Sequence, residues 1–120
     1  MKYRVIFTHI ANEINYIKLK KGDRVVKGEE YIGHPHWKNW VYCISEGTLK
    51  EGWIPKQLLA DLGDEYYLTE DYTSQELSCA KGDIVIPMSE MNGWAYCVNM
   101  TSCRRGWVPI SKLELLVSLS

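Results

Sequence analysis

A four-residue string, Gly-Trp-x-Pro, occurs twice in this chain, as Gly52-Trp53-Ile54-Pro55 and as Gly106-Trp107-Val108-Pro109. Each copy closes the same ordered series. Lys-Gly-Asp comes first (Lys21-Gly22-Asp23 and Lys81-Gly82-Asp83), then an aromatic run ending in Tyr-Cys (Trp40 to Cys43 and Trp94 to Cys97), then the string itself. A repeat of about 55–60 residues divides a 120-residue chain into two small units rather than one domain. A unit of that size buries only about 60% of its unfolded surface and is marginal alone, so the two units are expected to pack together. The repeat places the units at residues 1–62 and 63–120, with Gly63-Asp64 as the linker.

The local pattern is that of an all-β chain. Short runs rich in branched and aromatic residues alternate with Gly, Asn and Ser turns, and no stretch of ten or more residues has a helical period. In the first copy strands are expected at Tyr3 to Phe7, Arg24 to Val26, Trp40 to Ile44, Gly52 to Ile54 and Leu59 to Leu62, with one short turn at Lys56 to Leu58. The second copy repeats them at Tyr66 to Leu68, Ile84 to Ile86, Trp94 to Val98, Gly106 to Val108 and Leu113 to Leu116. Gly28 to Asn39 and Pro87 to Gly93 read as loops, the first longer by six residues and holding His34, His36 and Trp37. Five short strands per copy give two tandem small β-barrels.

Composition narrows the function classes. The net charge is −1, which supplies no basic stripe for nucleic acid. No run approaches the roughly 18 apolar residues of a membrane-spanning helix, and no secretory leader is visible, so a cytoplasmic protein with reduced thiols is expected. Cys43 and Cys97 hold matched positions and read as small core residues, while Cys97 and Cys103 could meet across a hairpin. His34, His36 and Cys43 fall short of a convergent metal-ligand set, so no metal or cofactor is expected. No nucleophile, base or paired-carboxylate motif stands out, which excludes an enzyme from the reading. Residues 1–62 carry net +3 and residues 63–120 net −4. This split suggests electrostatic attraction between units or between chains, including a homodimer.

Taken in order, the motifs resemble those of SH3 domains, most closely the variant SH3 folds of bacterial proteins. Glu70-Asp71-Tyr72 is similar to the family's Tyr-Asp-Tyr. Glu76-Leu77-Ser78 and Lys81-Gly82-Asp83 are similar to its Glu-Leu-Ser and Lys-Gly-Asp, and Gly93-Trp94 to the Gly-Trp after the n-Src loop. Both Gly-Trp-x-Pro strings are similar to its Gly-x-x-Pro before the 3-10 turn. The resemblance implies two SH3-like barrels and a non-catalytic protein- or peptide-binding function. It groups Tyr72, Trp94 and Pro109, with the acidic Glu70 and Asp71, as one peptide groove. Trp40 and Pro55, with Phe7 or His9, form a second. Trp53 and Trp107 lie on the strand face opposite Ile54 and Val108, where they cover an interface or offer a platform. The groove tyrosine that follows the proline is replaced by Leu58 and Lys112, and the first-motif Asp by Thr8. The resemblance therefore implies peptide binding without fixing the peptide as proline-rich. A self-associating scaffold is the alternative function, and a cell-wall-binding module a more distant one.

Overall fold

The structure, a computed structural model, describes residues 1–11, 16–33, 39–63 and 65–117. Twelve strands are seen among them. They are β1 (Lys2–Val5), β2 (Lys18–Leu19), β3 (Arg24–Glu30), β4 (Trp40–Ser45), β5 (Glu51–Pro55), β6 (Leu59–Asp61), β7 (Glu65–Leu68), β8 (Tyr72–Thr73), β9 (Ile84–Met91), β10 (Trp94–Asn99), β11 (Arg105–Pro109) and β12 (Leu113–Leu116). A 3-10 turn follows each Gly-Trp-x-Pro string, at Lys56–Leu58 and Ile110–Lys112. The chain is all-β, as the sequence implies, with two five-stranded antiparallel sheets.

The order within the sheets is not that of two consecutive units. One sheet runs β11-β10-β9-β1-β12 and the other β5-β4-β3-β7-β6. The first strand of the chain thus belongs with the last repeat, and the first strand of the second repeat belongs with the first. The compact units are Met1–Glu13 with Glu76–Ser120, hereafter the split unit, and Ile14–Gln75, the continuous unit. A boundary at residues 62 and 63 is not where the chain divides. The physical reason lies in the short connection expected to be a linker. Gly63 has a φ of +96°, Leu62 N–H donates to the Glu65 carbonyl at 2.8 Å, and β6 turns straight into β7 as a hairpin. So tight a turn pairs its flanking strands with each other and leaves β7 beside β3. The vacancy beside β9 and β12 is filled by β1, with Tyr3 opposite Val85 and Arg4 opposite Glu114.

Each unit has its own core. In the split unit Val5, Val85, Ala95, Cys97 and Val108 are fully buried, with Leu77 and Leu113 beside them. In the continuous unit Ile17, Val25, Val41, Cys43, Ile54 and Leu68 are fully buried. Burying one such side chain contributes about 1.5–3 kcal/mol, so these inward faces hold each barrel together. Val41 and Ile54 face inward across β4 and β5, and Trp40, Tyr42, Trp53 and Pro55 take the opposite face by strand alternation.

Strands run into two of the expected loops. β3 continues to Glu30 and β9 to Met91, each with a register shift against its neighbour, between Lys27 and Glu30 and at Tyr96/Cys97. A bulge interrupts the two-residue period, which is why the sequence pattern breaks there. Asn92 and Gly93, with φ of 51° and 87°, close the β9–β10 hairpin as a tight turn. His34, His36, Trp37 and Asp64 lie outside the described residues.

The regrouping also removes the charge split. The split unit carries 6 basic and 5 acidic residues and the continuous unit 8 and 10, net +1 and −2. Lys18, Lys21, Glu70 and Asp71, which the sequence divides between opposing faces, sit in one unit, and Asp71 Oδ1 accepts the Lys21 backbone N–H at 2.8 Å.

The thiols do not pair. Cys97 is buried opposite Gly106, whereas Cys103 is exposed in the β10–β11 turn. Burial pushes the Cys43 thiol up to about 11 and the Cys97 thiol up to about 12, and it raises Cys79 as well. In the folded protein at pH 8 a thiol-reactive disulfide reagent is expected to titrate Cys103 rapidly and the other three only after denaturation. Rapid reaction of all four would contradict the burial. The buried thiols keep their protons to higher pH than an unfolded chain, in which a thiol ionises near pH 8.5. The stability tied to them is therefore fully present below that pH and falls as pH rises toward 11–12.

Candidate functional site

Sequence reasoning groups Tyr72, Glu70 and Asp71 with Trp94 and Pro109. The structure groups them with Trp40 and Pro55, because β8 pairs with β2 in the continuous unit, Leu19 opposite Tyr72. His9 and Phe7 take the corresponding place in the split unit, His9 pairing with Cys79 in an isolated bridge. Tyr72, Glu70 and Asp71 thus share the continuous unit with Trp40 and Pro55, and Phe7 and His9 share the split unit with Trp94 and Pro109.

In the continuous unit Trp40 lies opposite Pro55, and Tyr42 opposite Trp53. Trp40, Pro55 and Tyr72 are buried, and the Tyr72 hydroxyl donates to the Trp53 carbonyl at 2.9 Å. These three support the surface rather than form it. Among the described aromatic side chains of this unit, Trp53 is the exposed one, at 38%. Tyr42 meets it edge-on at 5.1 Å between ring centroids, and Tyr31 at 5.6 Å. Two perpendicular tyrosines hold the indole in place with its outer surface open, a favourable quadrupole arrangement. Carboxylates stand close in the chain to this cluster. Glu51 accepts the Tyr42 hydroxyl at 2.8 Å, which raises the phenol above its usual value, and Glu30 takes Lys56 at 2.9 Å. The Lys56 contact draws the Glu30 carboxyl below its usual range. Tyr31 carries no motif, sits beside the longer first-copy loop and was missed by sequence reasoning. Its position just beyond β3 was the only available signal.

The split unit has the same scaffold with other contents. Trp94 lies opposite Pro109, which is buried. Trp107 packs edge-on against Tyr96 at 5.3 Å and is only 7% exposed, against 38% for its counterpart Trp53. Where the continuous unit has Tyr72, this one has His9. The His9 ring meets Trp94 edge-on at 5.8 Å, its Nε2 lies 2.8 Å from Glu76 Oε1, and Lys112 Nζ lies 2.9 Å from its Nδ1. An ammonium has only donors and a carboxylate only acceptors, so the tautomer that satisfies both partners has Nδ1 accepting and Nε2–H donating. The predicted groove residues Trp94 and Pro109 are therefore backed by a polar chain rather than an aromatic slot. The described residues contain no group of three or more His, Cys, Asp or Glu placed to hold a metal ion.

A small all-β barrel with this strand order, a 3-10 turn before its last strand, and an aromatic outer face defines an SH3-type interaction module. The chain belongs to the variant SH3 domain family, whose model matches residues 2–61. It is similar to myosin-1 of Aspergillus fumigatus and to myosin-1 of Neosartorya fischeri, 48% identical over 48 residues in each case. That stretch covers 37% of this chain and 4% of each myosin, so the chain spans a small fraction of the relatives it matches. No solved structure matches it.

Proposed function

We propose that the chain is a non-catalytic binding protein whose working surface is the outer face of the continuous unit, with Trp53 as its anchor. The observation that carries this reading is the difference between the two Gly-Trp-x-Pro strings: Trp53 is 38% exposed between two tyrosine edges, and Trp107 is 7% exposed. A large indole fixed in position and open to solvent is what a peptide hot spot requires, since little entropy is lost when a ligand covers it. Glu51, two residues before Trp53, adds negative charge near the indole in sequence, and Glu70 and Asp71 add more at the turn before β8. The family binds peptides and proteins, and this surface fits an extended peptide carrying apolar and basic residues. We place it in a reducing, cytoplasmic setting, in keeping with its four cysteines.

Binding of immobilised peptides, proline-rich and basic, measured with the full chain and with Trp53→Ala and Trp94→Ala, tests the reading. Trp53→Ala is expected to weaken binding at least about tenfold, the usual loss at an aromatic hot spot, with the fold retained. Trp94→Ala is expected to leave it within about twofold, a change of a few tenths of a kcal/mol. Loss with Trp94→Ala and none with Trp53→Ala would move the site to the split unit.

Self-association is the second reading. Val26 and Ile44 lie opposite each other across β3 and β4 and remain 43% and 38% exposed. Light scattering over a concentration series decides it, with a monomer expected throughout.

A further inference from the structure

The chain carries two strands that suit two sites, and the apolar pattern does not say which goes where. Tyr3 pairs with Val85 as Tyr66 pairs with Val25, and Val5 and Leu68 are both fully buried. The turns that follow are also interchangeable in kind. Thr8 Oγ1 accepts the Lys81 backbone N–H at 3.0 Å, as Asp71 Oδ1 accepts that of Lys21 at 2.8 Å. With β1 beside β3 and β7 beside β9, the chain would form two ordinary consecutive barrels with much the same hydrophobic burial.

The difference falls at His9 and Tyr72. His9 is 7% exposed and bonded on both ring nitrogens, to Glu76 and to Lys112. In the first repeat the positions matching Glu76 and Lys112 are Tyr16 and Leu58. A histidine placed there would lose both charged partners while staying buried, at a cost set by an unsatisfied polar group. Tyr72 has the reverse preference. Its hydroxyl donates to the Trp53 carbonyl, whereas the matching Trp107 carbonyl already accepts Leu77 N–H at 3.1 Å. Tyr72 in the split unit would also leave Glu76 and Lys112 without the ring that joins them.

We propose that Glu76, His9 and Lys112 form a strand-assignment lock, a polar key that directs β1 to the split unit and thereby leaves β7 to the continuous one. The lock is a conformational device and does not depend on where a peptide binds. Its role is to choose between two pairings that hydrophobicity leaves close in energy.

Introduced cysteine pairs report the pairing in the full chain, with Cys103→Ser to remove the exposed native thiol. Arg4→Cys with Glu114→Cys places thiols at facing positions of β1 and β12. Arg4→Cys with Ala60→Cys reports the consecutive arrangement, because Ala60 faces Tyr67 in β7 as Glu114 faces Arg4 in β1. Under oxidised glutathione, the first pair is expected to close and the second to stay open. Exchanging the key residues, His9→Tyr with Tyr72→His, is expected to raise closure of the second pair about tenfold relative to the first, the effect of one unsatisfied buried polar group. Lys112→Leu, which removes one arm of the lock, is expected to move the ratio in the same direction by a smaller factor, and it decides the matter if the exchanged protein fails to melt cooperatively. An unchanged ratio in a folded exchanged protein, or in Lys112→Leu, overturns the lock. Closure of the second pair in the otherwise native chain overturns the strand pairing itself.

Discussion

A fragment of residues 14–75 is expected to fold alone, with a cooperative thermal transition, and to melt above fragments 1–62 and 63–120, each of which must fill one strand position with the other copy's strand. The fragment holds every strand of its sheet, β3 to β7, together with the paired β2 and β8. It also keeps Val25, Val41, Ile54 and Leu68, all fully buried. Residues 63–120 lack β1, which lies between β9 and β12. In that fragment β7 is the strand left to fill the place of β1, and the change strips His9 from Glu76 and Lys112. A unit of this size has a total stability of roughly 3–9 kcal/mol, so leaving Glu76 and Lys112 without the ring that joins them costs a sizeable fraction of it. Residues 1–62 lack β7 and have only β1 to replace it. Far-UV circular dichroism with thermal melts reads the result. A cooperative transition for residues 1–62 and none for residues 14–75 would show that the repeats, not the exchanged units, are what folds.

Gly106→Ala is expected to destabilise the split unit by about 3 kcal/mol or more, several times the effect of Gly52→Ala, although the two glycines occupy the same place in the repeated string. A Cβ at Gly106 would stand 2.5 Å from the carbonyl carbon of Glu76 and from the nitrogen of Leu77. Both are backbone atoms, held by the Leu77 N–H bond to the Trp107 carbonyl, and neither can turn aside. At Gly52 the nearest atoms are Ile17 Cγ2 at 3.2 Å and Ser74 Oγ at 3.3 Å, side chains that can give by a few tenths of an ångström. Denaturant unfolding of the two variants checks the ranking, and equal losses would contradict the close approach of the Glu76–Leu77 segment to β11.

The strands themselves were legible because local chemistry writes them. Trp40 to Ile44 and Trp94 to Val98 alternate as half-buried strands, and each Gly-Trp-x-Pro string ends where proline stops the ladder and a 3-10 turn begins. Pairing was not legible. Tyr3-Arg4-Val5 and Tyr66-Tyr67-Leu68 present the same period, so nothing local tells which β3 or β9 each will join. The family match over residues 2–61 runs along the repeat in sequence order and crosses from one unit to the other. Sequence order and spatial membership differ in this protein, and a pattern read along the chain follows the first.

The candidate site was legible in part for the same reason. Trp53 stood out by repetition, but it is flanked by Tyr31 and Tyr42, whereas the buried Trp107 packs against Tyr96, with Glu76 and Leu77 close against the neighbouring Gly106. Identical strings therefore carry unequal roles. Tyr72 belongs to the continuous unit because its strand, β8, pairs with β2. His9, Glu76 and Lys112 were each noted singly, as a possible groove residue, part of a motif and a departure from the family pattern. Only the folded chain, which brings residues 67 and 103 positions away to one imidazole, makes them a set.

The pairing of Lys2 with Leu116 has a consequence for synthesis on the ribosome. Of the described strands, β1 is made first and its partner β12 last. At about 5–20 residues per second, β1 waits several seconds for its partners, while β3 and β6 are available much sooner. During that interval the nascent chain can already form the competing arrangement, and β7, arriving directly after β6, must displace it. Biogenesis of this protein is thus a race in which the near neighbour arrives first and the distant one must prevail.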